Sequence, residues 1–172
     1  RRRGLRALNA SGALTTEHIF DGGGGVRLQG WHSAVPGNES RGLALLLHGW
    51  EGSVDSSYMR MTAARLLEAG FEVVRLNFRD HGDTHHLNEG LFHSNLLDEV
   101  VHAAGDVANR FPARRMVVAG YSLGGNFALR LALRAPAAGL ALARAVAVCP
   151  VLDPAATMTE MERGQPLYHW YF

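Results

Sequence analysis

The chain has 172 residues, 47% of them hydrophobic and 19% charged, which is the composition of one ordinary globular domain with a sizeable core and excludes a disordered chain. Its net charge is +1 and its 17 basic residues are all arginine. Without lysine the chain can carry no lysine-dependent phosphate loop, no Schiff base and no catalytic Ser-Lys pair.

Arg1, Arg2, Arg3 and Arg6 make a basic tip, read as a solvated end in preference to a contact with nucleic acid or lipid. Gly4 to Leu14 is too mixed for a signal-peptide core. The first residue is arginine and not methionine, so the sequence is expected to be a fragment, or a processed or incomplete gene product. Thr15 to Phe20 and Val26 to His32 are strand-like, joined by Gly22 to Gly25. Those glycines form a turn and no dinucleotide fingerprint, because the fingerprint needs a strand before them and a helix after. Leu43 to Leu47 is a continuous apolar run, as in a strand buried on both faces. A helix follows, capped at Asp55 or Ser56, with Met59, Ala63, Leu66 and Leu67 on one face and Gly70 as its stop.

Phe71 to Phe78 is the next strand. Ser94 is placed to cap a second helix, whose Leu97, Val100, Ala104, Val107 and Phe111 recur at helical spacing, with Asp98 and Glu99 near its positive end and Pro112 closing it. Met116 to Ala119 is a third buried strand, Asn126 to Arg134 a third helix ending before Pro136, and Arg144 to Cys149 a fourth strand. The alternation from 43 to 149 predicts a mostly parallel, doubly wound α/β sheet with helices on both faces. Cys149 is the single cysteine: it excludes an intrachain disulfide, is expected in the core, and suits a reducing, cytoplasmic setting. The richest apolar stretch, Ala138 to Leu152, is broken by Arg144 and too short to span a bilayer. From Asp153 onward the pattern turns helical and no further strand follows before Phe172.

The chemistry gathers where the Met116 strand ends, at Gly120-Tyr121-Ser122-Leu123-Gly124. A G-x-S-x-G between a buried strand and a helix is the context of a nucleophile elbow, in which glycines two residues either side of a strained serine let strand and helix approach. Ser122 is therefore the candidate nucleophile. Acyl transfer also needs two backbone N–H donors for the tetrahedral oxyanion. Leu123, just after the serine, is the first candidate, and Trp50, in the loop His48-Gly49-Trp50-Glu51-Gly52 after the Leu43 strand, is the second. Gly49 gives that loop room to turn, and His48 is expected to orient the backbone through its own hydrogen bonds and not to act as a general base.

With these pieces in view the sequence resembles the α/β-hydrolase superfamily, and within it the YheT-like hydrolases related to the ABHD-type esterases and lipases. The resemblance runs from about Ala44 to the end. It rests on H-G-W-E-G-S at 48–53 and G-Y-S-L-G-G-N at 120–126, with softer matches in N-F-R at 77–79, Gly82, H-S at 93–94 and Asp98. It implies an α/β-hydrolase fold and a serine esterase acting on short-chain or acylglycerol-like carboxylic esters through an acyl-enzyme on Ser122. It implies no metal and no organic cofactor, with a small-molecule ester as substrate. From the residues themselves no nucleic-acid partner is expected, and peripheral contact with lipid stays open.

It also implies a departure. In such enzymes the triad acid and histidine follow the serine at the ends of later strands. The C-terminal strands and most of the cap are absent from the sequence, so residues 1–153 are expected to be the N-terminal part of the core and 154–172 the start of a helical cap, with acid and base beyond residue 172. A short triad of Ser122, Asp153 and His169 has the right order, but no strand brings His169 back over the sheet. Asp153 reads instead as a cap before Pro154. The loop Asp80-His81-Gly82-Asp83-Thr84-His85-His86 could hold zinc, but its spacing matches no familiar ligand pattern and it reads as a polar surface loop. The competing functions are a catalytically inactive remnant and, further off, a metal-dependent hydrolase.

Overall fold

The computed structural model describes residues 2–113 and 115–164; Arg1, Arg114 and the segment 165–172, which holds His169 and the last eight residues of the expected cap segment, lie outside the described residues. Among these described residues six strands form one sheet in the order β1-β2-β4-β3-β5-β6: β1 Leu14–Asp21, β2 Arg27–Ala34, β3 Leu43–Leu47, β4 Glu72–Leu76, β5 Met116–Tyr121 and β6 Leu142–Val148. β3, β4, β5 and β6 are parallel, and β1 and β2 join through antiparallel pairs at one side. Among the described residues five helices accompany them: α1 Arg2–Ala10, α2 Ser57–Glu68, α3 Leu97–Arg110, α4 Leu123–Arg134 and α5 Pro154–Arg163. This is the mostly parallel, doubly wound α/β arrangement that the alternation of runs predicts.

The central strand shows why its run had to be unbroken. All five residues of β3 are buried, and successive side chains go to opposite faces. Leu43, Leu45 and Leu47 join the core beneath α3 and α4, with Val100, Val107, Phe127 and Leu131. Ala44 and Leu46 join a second core beneath α1 and α2, with Leu8, Met59, Ala63 and Leu67.

The described arginines of the basic tip, Arg2, Arg3 and Arg6, face water as expected, on a helix, Arg2–Ala10, that buries Leu8 and packs Gly4 on Ser57 of α2. Three sequence expectations are corrected. Ser94 does not cap α3, which starts at Leu97 with no side-chain cap bond; the Ser94 carbonyl instead accepts from Arg130 Nη1 at 2.7 Å. α4 begins at Leu123 and not at Asn126, because the Ser122 carbonyl already accepts Asn126 N–H at 3.1 Å. Cys149 is exposed. It follows β6, at one edge of the described sheet, where Val146 and Val148 are exposed as well.

Among the described residues no helix is long and apolar enough to cross a membrane.

Candidate active site

β5 ends at Tyr121 and α4 starts at Leu123, so Ser122 alone makes the turn between them. Its backbone sits at φ 51°, ψ −116°, a left-handed conformation that L-residues rarely adopt and that costs of order 1–3 kcal/mol. The surroundings hold it there: Ser122 N–H donates to Val148 O at 2.9 Å, and its carbonyl accepts from Asn126 N at 3.1 Å and Val151 N at 3.3 Å. Asn126 Nδ2 in turn donates to Val151 O at 2.8 Å, which ties the start of α4 to the segment after β6.

Sharp turning brings backbones into contact on both sides of the serine. A Cβ on Gly120 would lie 2.0 Å from Gly124 O, and one on Gly124 would lie 2.3 Å from His48 O and 2.5 Å from Leu47 O. Side chains at either position would collide with fixed backbone. The start of α4 therefore passes directly over the end of β3, and the end of the helix that carries its unpaired N–H groups and positive dipole begins at the residue after Ser122.

Ser122, Leu123, Gly49 and Trp50 line one cavity of about 690 Å³, within the range of about 300–1,000 Å³ typical of small-molecule sites. Its wall is largely apolar. Pro154, Thr157, Met158 and Met161 recur at the spacing of one helical face, so α5 presents a continuous stripe to the space above Ser122. Cys149 also lines the cavity.

His48 is fully buried beneath this floor. Its Nδ1 donates to Gly49 O at 2.7 Å and its Nε2 accepts from Phe78 N–H at 3.2 Å, so both ring nitrogens serve the backbone. Burial, with a smaller contribution from His81, lowers its pKa from 6.5 to about 3 against the raising effect of the Gly49 hydrogen bond, and the ring stays neutral. A folded-state pKa below the unfolded one means that the unfolded chain binds the extra proton first. The stability contributed by neutral His48 is thus complete above about pH 6.5 and lost as pH falls from there toward 3. The melting temperature should decline across that window more steeply than in His48→Asn, as read by circular dichroism at fixed ionic strength; parallel declines would place the sensitivity elsewhere.

The softer motif residues support the same loops. Asn77 Oδ1 accepts Val54 N–H at 2.8 Å, and Arg79 clamps Glu99 through Nη2–Oε1 at 2.5 Å and Nε–Oε2 at 3.2 Å. Asp98 pairs with Arg134 at 2.9 Å. His93 and Ser94 reach the cavity wall. Asp153 is the N-cap of α5, its carboxylate accepting Ala156 N–H at 2.9 Å, which commits it to the helix end. The histidine-rich loop diverges: His81 is buried against Phe78 and Phe92, with Nδ1 bonded to Arg79 O, while exposed His85 bonds to Asp80. Among the described residues no three ligating side chains converge on a metal position. Tyr58, whose hydroxyl meets the Gly49 N–H at 3.0 Å, was not legible as a site residue, since no local pattern connects it with a loop nine positions earlier.

Comparison with known proteins places this geometry in context. A family model described as alpha/beta hydrolase fold matches residues 44–172. A monoacylglycerol lipase of Mycolicibacterium smegmatis is 30% identical over 125 residues, 70% of this chain and 42% of that protein. A Synechocystis sp. relative that bears an esterase name is 30% identical over 131 residues, 72% of this chain and 35% of that protein. Among solved structures, a Pyrococcus furiosus esterase superposes with a TM-score of 0.72 at 20% identity, over 95% of this chain and 61% of that one. The chain thus spans 35% and 42% of the length of these two curated relatives.

Proposed function

Because the chain belongs to the α/β-hydrolase fold family, we propose that the full-length protein is a serine hydrolase of carboxylic esters and that Ser122 is its nucleophile. The observation that carries this reading is the backbone of Ser122, held at φ 51° between β5 and α4 with its side chain at an apolar cavity. A strained serine at such a turn stands clear of the sheet, where an ester carbonyl can reach it.

In the first half-reaction the Ser122 oxygen bonds to the acyl carbon, its proton passes to a general base, and the bond to the alcohol oxygen breaks as that oxygen takes the proton. Water then repeats the sequence on the acyl-enzyme and releases the acid. Negative charge on the carbonyl oxygen is received by Leu123 N–H at the start of α4 and by Trp50 N–H. His48 and Gly49 shape the Trp50 loop; Gly120 and Gly124 let the turn close.

The general base and its orienting acid are assigned outside the described residues. His48 is committed to the backbone and Asp153 to α5. Residues 1–153 then act as the N-terminal part of the core and 154–172 as the start of a cap over the cavity. The apolar stripe of α5 supports an ester with an aliphatic chain, in keeping with the YheT-like and ABHD-type resemblance. The lone cysteine fits a reducing, cytoplasmic setting.

The test uses both the full-length protein and the 172-residue chain. The full-length protein should take a fluorophosphonate adduct on Ser122, located by peptide mass spectrometry. The 172-residue chain should hydrolyse p-nitrophenyl acetate no faster than its own Ser122→Ala variant, since a serine without a base is a poor nucleophile. An unlabelled Ser122 in the full-length protein would favour the inactive remnant. Turnover by the 172-residue chain that disappears on Asp153→Asn or His169→Ala would establish the short triad instead.

A further inference from the structure

The two peptide groups that flank Gly49 are held from separate directions. Gly49 N–H donates to the Tyr58 hydroxyl at 3.0 Å. Gly49 C=O accepts from His48 Nδ1 at 2.7 Å and from Gly52 N–H at 3.0 Å. In a trans peptide the N–H points away from the C=O of the same unit, so a carbonyl fixed by two donors also fixes the direction of Trp50 N–H. The Tyr58 bond fixes the preceding unit, and the loop after β3 is left with little freedom to rotate.

Tyr58 lies in the first turn of α2 and reaches the serine side of the site as well. Its ring centroid is 4.8 Å from that of Tyr121, the residue before Ser122, and the Tyr121 hydroxyl is hydrogen-bonded to Thr62 one turn further along the same helix. The position a Cβ would take on Gly49 is 3.4 Å from Ser122 Cβ and 3.6 Å from the Tyr58 hydroxyl. Gly49, Tyr58, Tyr121 and Ser122 all line the same cavity. One side chain thus braces both arms of the site, the loop after β3 and the turn after β5.

Resting on the assignment of Ser122 as nucleophile, we infer that Tyr58 is a positioning residue for oxyanion stabilisation, acting through the Gly49 N–H to hold the Trp50 peptide at the angle the transition state requires. By accepting the Gly49 N–H, the hydroxyl also takes that group out of competition for the oxyanion. Preorganised donors of this kind act on the transition state and leave ground-state binding nearly untouched. The expected signature is therefore a change in kcat at constant KM.

Tyr58→Phe removes the hydroxyl while keeping the ring on Tyr121. In the full-length protein this variant should lower kcat for p-nitrophenyl acetate about tenfold, the equivalent of one hydrogen bond, with KM unchanged. Its affinity for an alkyl boronic acid, which forms a tetrahedral adduct on serine, should fall by the same factor, and the melting temperature should move little. A kcat within twofold of the wild type, or a fall in kcat with boronate affinity retained, overturns the inference. If the wild type does not turn over, boronate affinity decides alone. Ser122→Ala is measured alongside: full activity there overturns the nucleophile assignment and Tyr58 with it, whereas an inactive Ser122→Ala beside an unaffected Tyr58→Phe overturns Tyr58 only.

Discussion

Replacing Ser122 with alanine should lower ester turnover by the full-length protein by about 10⁴–10⁶-fold, the range seen when single members of a serine triad are removed. The size of the effect follows from chemistry and not from folding. Alanine keeps the Cβ and loses only the attacking oxygen, while the bonds that hold residue 122, from its N–H to Val148 O and from Asn126 and Val151 to its carbonyl, are all backbone. Circular dichroism and melting temperature should match the wild type. Assay with a short activated ester checks the prediction, and a variant retaining more than a hundredth of the activity would move the nucleophile elsewhere.

The second large effect concerns stability, and the 172-residue chain suffices to measure it. In Gly124→Ala the new methyl would sit 2.3 Å from His48 O and 2.5 Å from Leu47 O, both backbone atoms of the central strand and its loop. Neither can swing aside as a side chain could, so α4 must shift off β3. Overpacking of this kind costs about 3 kcal/mol, which for a domain of this size lowers the melting temperature by about 10 °C. Gly120→Ala, at 2.0 Å from Gly124 O, should be at least as severe. Gly105→Ala is the control: it lies within α3 with nothing near its Cβ position, and alanine there should stabilise by about 1 kcal/mol. Equal melting temperatures for all three would mean that the close approach of α4 to β3 is not present in solution.

The sequence disclosed elements wherever one residue type repeats with the period of the structure. Leu43 to Leu47 matches β3 residue for residue, because a strand covered on both faces leaves no position for a polar side chain. Ends were harder. Ser94 reads as a helix cap, but α3 starts at Leu97 with Leu96 in the cap position, two residues past the serine, and the turn before it is closed by backbone bonds, among them Leu97 N–H to Asn95 O. The start of α4 was placed late because Gly124 and Gly125 are poor helix formers, and here close approach outweighs propensity. Cys149 has apolar sequence neighbours, yet neighbours in sequence do not reveal which strand forms an edge.

In the candidate site the same division holds. Gly120, Ser122, Leu123 and Gly124 fall within five residues, and their spacing carries the geometry. Tyr58 meets its partner across nine residues and Tyr121 across the sheet, and contacts set by the packing of α2 leave no local trace.

The exposure of Cys149 offers a practical gain. It is the sole thiol of the 172 residues and it lines the cavity beside Ser122, so in the 172-residue chain a maleimide dye or nitroxide should attach at one defined place without any engineered residue. A label there would share the space that a substrate enters, and its emission or spectral width would report the arrival of a ligand even in a variant that performs no chemistry.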